Sequence, residues 1–443
     1  MAGERGGRAA PAIESLVARF EGRDALLGVV GLGYVGLPVA TTFADAGFKV
    51  VGVDTDPARV AAVEEGRSYL IDVPDEEVGR LRGSGRLRAT TSYRRLARAD
   101  AILICVPTPL RDGIPDLSAI ESAGRSLARV LADGALVILE STTYPGTTEE
   151  VLRPLLEAGG RAAGADFLLA YSPERIDPGN PQYGFREIPK VVGGVTPQST
   201  RAAEVLYSQV VPKVIAVSSP REAEMAKLLE NIFRHVNIAL VNELATYAHD
   251  MDIDIWEAVE AAATKPFGYM PFFPGPGWGG HCIPLDPAYL SWRVRQDRAH
   301  EVKFVELAHT VNAEMPRYVA ERVGSLLNDR GKAVRASRVL GIGAAYKGGT
   351  EDTRGSPALK ALSILAHRGA EVSYHDPLVP EATVEGRSLR SAALTAETLR
   401  RQDLVAVLIP QAGVDWDLVV REAACVLDCC NALRRKGGTV ERL

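Results

Sequence analysis

The sequence predicts an α/β protein with two doubly wound domains joined by a central helical region. Three observations predict it. From Ala25 onward, short apolar runs ending in glycine or polar turns alternate with helical stretches, as in "ALLGVVGLGYVGLPVATTFADAGFKVVGVDTD". Near Glu222 the character changes to long helical periodicity with few breakers, "EAEMAKLLENIFRHVNIALVNELATYAHDMD", and helical signals run on to about Asn328. Strand-and-turn signals then return in "SRVLGIGAAYKGG", "GAEVSYHDP", "DLVAVLIP" and "ACVLDCC". A chain of 443 residues exceeds one hydrophobic core, so several domains are expected. The boundaries read as a tail over 1–24 that includes a short helical stretch, a first α/β domain over 25–215, a helical domain over 216–328, and a second α/β domain over 329–443.

Hydrophobic residues make up 46% of the chain and charged residues 24%, which fits a soluble globular protein. A formal net charge of −5 argues against nucleic acid or an anionic membrane surface as the main partner. No apolar run approaches the roughly 18 residues of a membrane span, and "MAGERGGRAAPAIE" lacks the apolar core of a secretory signal. Five cysteines without paired spacings suit a reducing cytoplasm better than a disulfide framework.

In the first domain Gly31, Gly33 and Gly36 form GxGxxG between an apolar strand and a helix. Glycines let the backbone turn tightly and approach a pyrophosphate, which then sits at the helix N-terminus. Asp54 ends the next strand, where a carboxylate hydrogen-bonds a ribose diol and repels a 2′-phosphate. The domain is therefore Rossmann-like and NAD is the expected cofactor, with Arg59 nearby weakening the case against NADP. Tyr34 and Val35, inside the loop, belong to the candidate cofactor set. The second α/β domain departs at one position: "GIGAAY" puts Tyr346 where a third glycine would stand. Close packing over a dinucleotide is not expected there. "YKGGTEDTR" instead offers Lys347, Arg354 and the amides of Gly348 and Gly349 to a diphosphate or nucleotide.

In the central region Lys227 and Asn231 lie four apart on a predicted helix and share a face. The stretch "GPGWGGHCIPLD" carries Cys282 between a glycine run and an expected helix start at "IPLDPAYLSW", with Asp286 in its first turn. A helix N-terminus favours the thiolate, and glycines such as Gly279 strip away covering side chains. Cys105, Cys425, Cys429 and Cys430 read as packing residues instead. His281 has no second and third ligand at suitable spacing, so no metal site is expected.

Taken in this order and spacing, GxGxxG with Asp54, the Lys227/Asn231 pair, "GGHCIPLD" and "GxG…DTR" resemble the UDP-glucose/GDP-mannose dehydrogenase family. The resemblance covers nearly the whole chain. It implies a four-electron oxidation of a nucleotide-diphosphate sugar from C6 alcohol to carboxylate, with two NAD reduced. It also implies that Cys282 forms a thiohemiacetal and then a thioester, that Lys227 and Asn231 stabilise the oxyanion, and that Asp286 assists the base or orients water. Glu174 in "YSPE" matches the family glutamate of thioester hydrolysis, and Thr108 in "VPTP" the threonine near nicotinamide and water. Lys227, Asn231, Gly279, Tyr346, Lys347 and Arg354 form the implied substrate set. A cytoplasmic homodimer paired through the central helical region is expected.

Departures matter for the sugar. Pro178 replaces the second glutamate of the UDP-glucose branch and His281 replaces its serine, so the cysteine loop is nearer the UDP-N-acetylhexosamine branch. Cys430 stands where relatives keep an arginine, which leaves uridine and thymidine diphosphates both open. The rival reading is a two-electron hydroxyacid dehydrogenase of the same fold, which shares the Lys-x-x-x-Asn pair and needs no cysteine. His281 and Trp278 have no role at this level.

Overall fold

The computed structural model of the protein describes residues 9–70, 72–176, 183–280, 282–298, 300–434 and 438–443. It divides into two compact units, one ending at Glu230 and the other running from Asn231 to Leu443. The division falls inside the stretch that reads as a helical domain in the sequence.

The first unit opens with helix α1 (Ala9–Glu21), which occupies most of the expected tail. Ile13, Leu16, Val17 and Phe20 recur at helical spacing and are buried in the main core of the unit. The Glu14 carboxylate accepts from Arg201 at 2.8 Å. This segment is therefore an integral layer of the domain, a correction to the tail assignment. Eight strands build its main sheet: β1 (Leu26–Val30), β2 (Lys49–Val53), β3 (Leu87–Thr90), β4 (Ala101–Ile104), β5 (Leu136–Leu139), β6 (Leu168–Tyr171), β7 (Lys190–Gly194) and β8 (Val214–Ala216).

Their order in the sheet is β8-β7-β6-β5-β4-β1-β2-β3. From β3 to β6 all pairs are parallel, in the 3-2-1-4-5-6 order of dinucleotide-binding folds. Strand β7 reverses direction against β6, and β8 runs parallel to β7. "AILI" and "LVIL" are buried throughout because helices cover both faces, which is why these strands lack polar alternation. Val30 pairs with Val53 on one side and Ile104 on the other, so β1, β2 and β4 end level. The chain reverses its winding between β1 and β4, and the glycine loop and helix α2 (Gly36–Asp45) leave β1 at this point.

The second unit holds a parallel sheet of β9 (Arg338–Ile342), β10 (Glu371–His375), β11 (Leu404–Val407), β12 (Val426–Asp428) and β13 (Val440–Arg442), in the order β10-β9-β11-β12-β13. Its helical part comprises α3 (Pro220–Asp250) from Asn231 on, α4 (Ile255–Ala263), α5 (Cys282–Arg298) and α6 (Lys303–Asn328). The expected continuous helix to Ala263 breaks where Asp252 takes φ 55°. Asp254 then caps α4, accepting from the Trp256 amide at 3.0 Å. Met315, Val319, Val323 and Leu327 on α6 pack into the core that includes Val339 and Leu404 of the second sheet. Among the described residues, no helix is long and apolar enough to cross a membrane.

Candidate active site

The first glycine loop fits a dinucleotide. Gly31 adopts φ 88°, and a Cβ there would lie 2.6 Å from the Cys105 carbonyl oxygen. A Cβ on Gly36 would sit 1.8 Å from the Gly31 oxygen, so helix and loop meet backbone to backbone. Around Gly33 the space is open, the nearest atom being Arg59 Nη1 at 3.9 Å. Asp54 is buried and accepts from the amides of Leu32 at 2.7 Å and Asp56 at 2.8 Å. Those bonds aim its carboxylate at the rim of the loop. Arg59 lies 3.5 Å from the same carboxylate and 5.8 Å above the Tyr69 ring, so its charge is engaged rather than free for a 2′-phosphate.

Beyond β4 and β5 the structure brings Thr108 and Thr142 together: the Thr108 hydroxyl donates to the Thr142 carbonyl at 2.8 Å. Glu174 follows β6 and is buried; one carboxylate oxygen accepts from the Ile176 amide and the other makes no hydrogen bond among the described residues. With Tyr34, Val35 and Ile176 it lines a cavity of about 680 Å³ in the first unit. Lys227 is buried on α3, one turn before Asn231.

In the second unit the glycine run before Cys282 is stapled at several points. The Gly275 amide donates to Asn242 Oδ1 at 2.9 Å, Asn242 Nδ2 to Asn312 Oδ1 at 2.9 Å, and Asn312 Nδ2 to the His235 carbonyl at 3.2 Å. This chain of buried amides fixes the orientation of each member. Trp278 leans on His309 and His235, ring centroids 5.2 and 5.8 Å away, with Lys360 Nζ 5.5 Å over its face. Burial pushes the His235 imidazole down to about 4, with His309 adding to the shift against support from the Val305 backbone, so it is a neutral packing partner. The Gly280 amide donates to the Arg354 carbonyl at 2.9 Å, and a Cβ on Gly280 would meet the Tyr346 ring at 2.6 Å. The structure thereby unites Gly279, Tyr346 and the Arg354 backbone, which the sequence assigns separately.

Cys282 is the first residue of α5, one position earlier than the expected helix start. Asp286 consequently lies just past the first turn. It is buried and accepts from Asn231 Nδ2, while Asn231 Oδ1 accepts from Arg234 at 2.6 Å. Asn231 is thus held at both ends of its amide. The other cysteines are poor thiolates: burial raises the Cys105, Cys425, Cys429 and Cys430 thiols, and the Asp428 carboxylate lifts Cys430 further.

Around Tyr346 the loops are tied together internally. The Gly349 amide already donates to Gln411 Oε1 at 2.9 Å, and Arg354 forks onto Asp352 at 2.6–3.0 Å. Lys347 Nζ stands 5.8 Å from the Tyr346 ring. Pro178 and His281 lie outside the described residues. Among the described residues no group of His, Cys, Asp or Glu is placed to hold a metal ion.

Sequence reasoning missed the Asn242–Asn312 chain and the Trp278 anchor. It also missed Lys190, whose only signal was a lysine opening the apolar strand "KVVGG".

A dinucleotide loop at the winding reversal of one sheet, with a second nucleotide-type domain downstream, defines an NAD-binding dehydrogenase. The chain matches the UDP-glucose/GDP-mannose dehydrogenase family in its NAD binding domain over residues 25–211, central domain over 221–314 and UDP binding domain over 340–435. It belongs to that family and is an NAD-dependent nucleotide-sugar dehydrogenase. It is 39% identical over 357 residues to the UDP-N-acetyl-D-mannosamine dehydrogenase of Pyrococcus horikoshii, covering 80% of this chain and 84% of that one. The solved UDP-D-ManNAc dehydrogenase of Pyrococcus horikoshii superposes with a TM-score of 0.85 at 33% identity, over 94% of this chain and 98% of the other. The UDP-glucose dehydrogenase of Pyrobaculum islandicum superposes at 0.81 with 30% identity, over 93% and 95% of the two chains.

Proposed function

We propose that the protein oxidises the C6 alcohol of a UDP-N-acetylhexosamine to the carboxylate, with UDP-N-acetyl-D-mannosamine as the preferred sugar. The observation that carries the chemistry is the stapled glycine loop delivering Cys282 to the N-terminus of a 17-residue helix. The sugar rests on the "GGHCIP" loop and on the similarity to the UDP-N-acetyl-D-mannosamine dehydrogenase of Pyrococcus horikoshii.

NAD supplies the hydride acceptor for both oxidations. Gly31, Gly33 and Gly36 would hold its pyrophosphate at the start of α2, Asp54 would hold the ribose, and Thr108 and Thr142 would line the nicotinamide end. Cys282 stands at the helix N-terminus, a position that favours a thiolate, and its sulfur adds to the aldehyde carbon to give a thiohemiacetal. Lys227 and Asn231 stabilise the oxyanion, and Asp286 keeps the Asn231 amide turned toward it. After the second oxidation a thioester remains. Glu174 takes a proton from water, the oxygen bonds to the acyl carbon, and the C–S bond breaks to return the thiolate. A two-electron hydroxyacid oxidation would leave this cysteine arrangement without a task.

Stoichiometry and a substrate panel test the reading together. Two NADH per sugar are expected, with kcat/KM for UDP-N-acetylmannosamine about tenfold or more above UDP-glucose and dTDP-glucose, since an acetamido group needs a matched pocket. One NADH per sugar would refute the four-electron scheme, and preference for a glucose nucleotide would refute the sugar.

A homodimer belongs to the proposal, and so does a cytoplasmic site, which the buried free cysteines favour. Phe233, Leu240, Leu244 and Tyr247 on α3, with Met251 just past its end, form one exposed apolar face, too continuous for a monomer surface. Light scattering at micromolar protein should return twice the 47.5 kDa chain mass, and Leu244→Glu should lower it toward the monomer.

A further inference from the structure

One buried charged group in the first unit has no part in the chemistry above. Glu140 follows β5 and Lys190 opens β7, so they flank β6, whose C-terminal extension is Ser172–Pro173–Glu174. Lys190 is 3% exposed and Glu140 wholly buried. The Lys190 ammonium donates to Glu140 Oε2 at 3.0 Å and, across the end of β6, to the Pro173 carbonyl at 3.2 Å. Tyr207 donates its hydroxyl to the other Glu140 oxygen. The Tyr207 and Phe185 rings enclose the ammonium at 4.8 and 5.1 Å.

A buried ion pair is a poor source of stability, because desolvating both charges consumes most of the attraction and apolar replacements often do as well. What this one does that an apolar pair could not is grip a main-chain carbonyl. That carbonyl belongs to the residue before Glu174, in a segment with no ladder or helix of its own. Among the described residues the Glu174 carboxylate accepts one bond, from the Ile176 amide two residues on, and the neighbouring Arg175 side chain is tied to the Pro189 carbonyl at 2.5 Å. The second Glu174 oxygen has no hydrogen-bond partner among the described residues, and the residue lines the cavity with Tyr34 and Val35.

We infer that Lys190 is a positioning residue: through the Pro173 carbonyl it holds the free Glu174 oxygen where it receives the proton of the hydrolytic water, and Glu140 and Tyr207 hold Lys190. The inference rests on the thioester reading and deepens it. It places the demand on one step, opening of the thioester, since loss of the grip leaves the cysteine loop and the dinucleotide loop untouched. A misplacement of about 1 Å at such a base costs on the order of 100-fold in its step.

The double variant Glu140→Gln/Lys190→Met removes both charges while keeping near-equal volume. Rapid-quench kinetics and intact-protein mass spectrometry on the full chain read the effect, with Glu174→Gln alongside. The double variant is expected to show an NADH burst of about two per active site, then steady turnover reduced about tenfold or more, with the chain carrying the mass of an acyl adduct. KM for NAD should stay within about twofold of the parent. Unchanged turnover, or slow turnover with neither burst nor adduct, would overturn the inference while Glu174→Gln still traps adduct. No adduct in either variant would bring down the hydrolytic role of Glu174 itself. If the double variant fails to fold by circular dichroism, Tyr207→Phe, which deletes one hydroxyl, should give the same burst at lower amplitude, and its absence counts against Lys190.

Discussion

Replacing Cys282 with serine should abolish uronate formation, lowering kcat by about 10³-fold or more, the scale of losing a covalent nucleophile. A serine hydroxyl keeps the volume and the hydrogen-bonding capacity but is not ionised at neutral pH. The helix N-terminus lowers a thiol pKa into the working range and cannot do the same for an alcohol. Binding should survive: the glycine run is held by Asn242, the Trp278 contacts and the Arg354 carbonyl, none of which involves the sulfur. Calorimetric Kd values for NAD and for UDP-N-acetylmannosamine within about twofold of the parent, with no adduct by mass, are the expected result. Full turnover by the serine variant would remove the nucleophile assignment. Weak binding of both ligands would show instead that the substitution had disturbed the loop.

What the sequence made legible depends on distance along the chain. Strands such as "AILI" and "LVIL" are recognisable because burial on both faces makes them uniformly apolar. GxGxxG and "GGHCIPLD" are recognisable because each packs its requirements into about a dozen residues. Helix α1 was legible only as a short helical stretch within a tail, since its apolar face of Ile13, Leu16, Val17 and Phe20 acquires meaning only from the core it covers. The supporting groups were equally hidden. Glu140 and Lys190 are 50 residues apart, Asn242 and Asn312 are 70, and Gly349 and Gln411 are 62, so no local pattern joins them. Asn231 is the intermediate case. Its one-turn spacing from Lys227 was visible, but the partners that orient its amide, Arg234 and Asp286, needed the fold.

Two glycines of one loop should fail in opposite ways. Gly36→Ala would place a methyl carbon 1.8 Å from the Gly31 carbonyl oxygen and 3.2 Å from Cys105 Cβ. The first of these is backbone at the turn between β1 and α2, so no rotamer relieves the clash and the helix must separate from the strand. A loss of about 3 kcal/mol or more is expected, at the upper end of overpacking effects, together with loss of NAD affinity. Gly33→Ala meets nothing nearer than Arg59 Nη1 at 3.9 Å, the mobile end of a long side chain. The unliganded chain should therefore keep its stability within about 0.5 kcal/mol. The added methyl nevertheless projects into the open space over which the pyrophosphate must approach the backbone. An increase in Kd for NAD of about tenfold or more, equivalent to about 1.4 kcal/mol, should follow without a change in melting temperature. Denaturant melts and NAD titrations on the two variants separate the cases. Undiminished NAD binding by Gly33→Ala would mean that the diphosphate lies elsewhere, and a normal melt for Gly36→Ala would mean that α2 does not dock on the loop as closely as 1.8 Å requires.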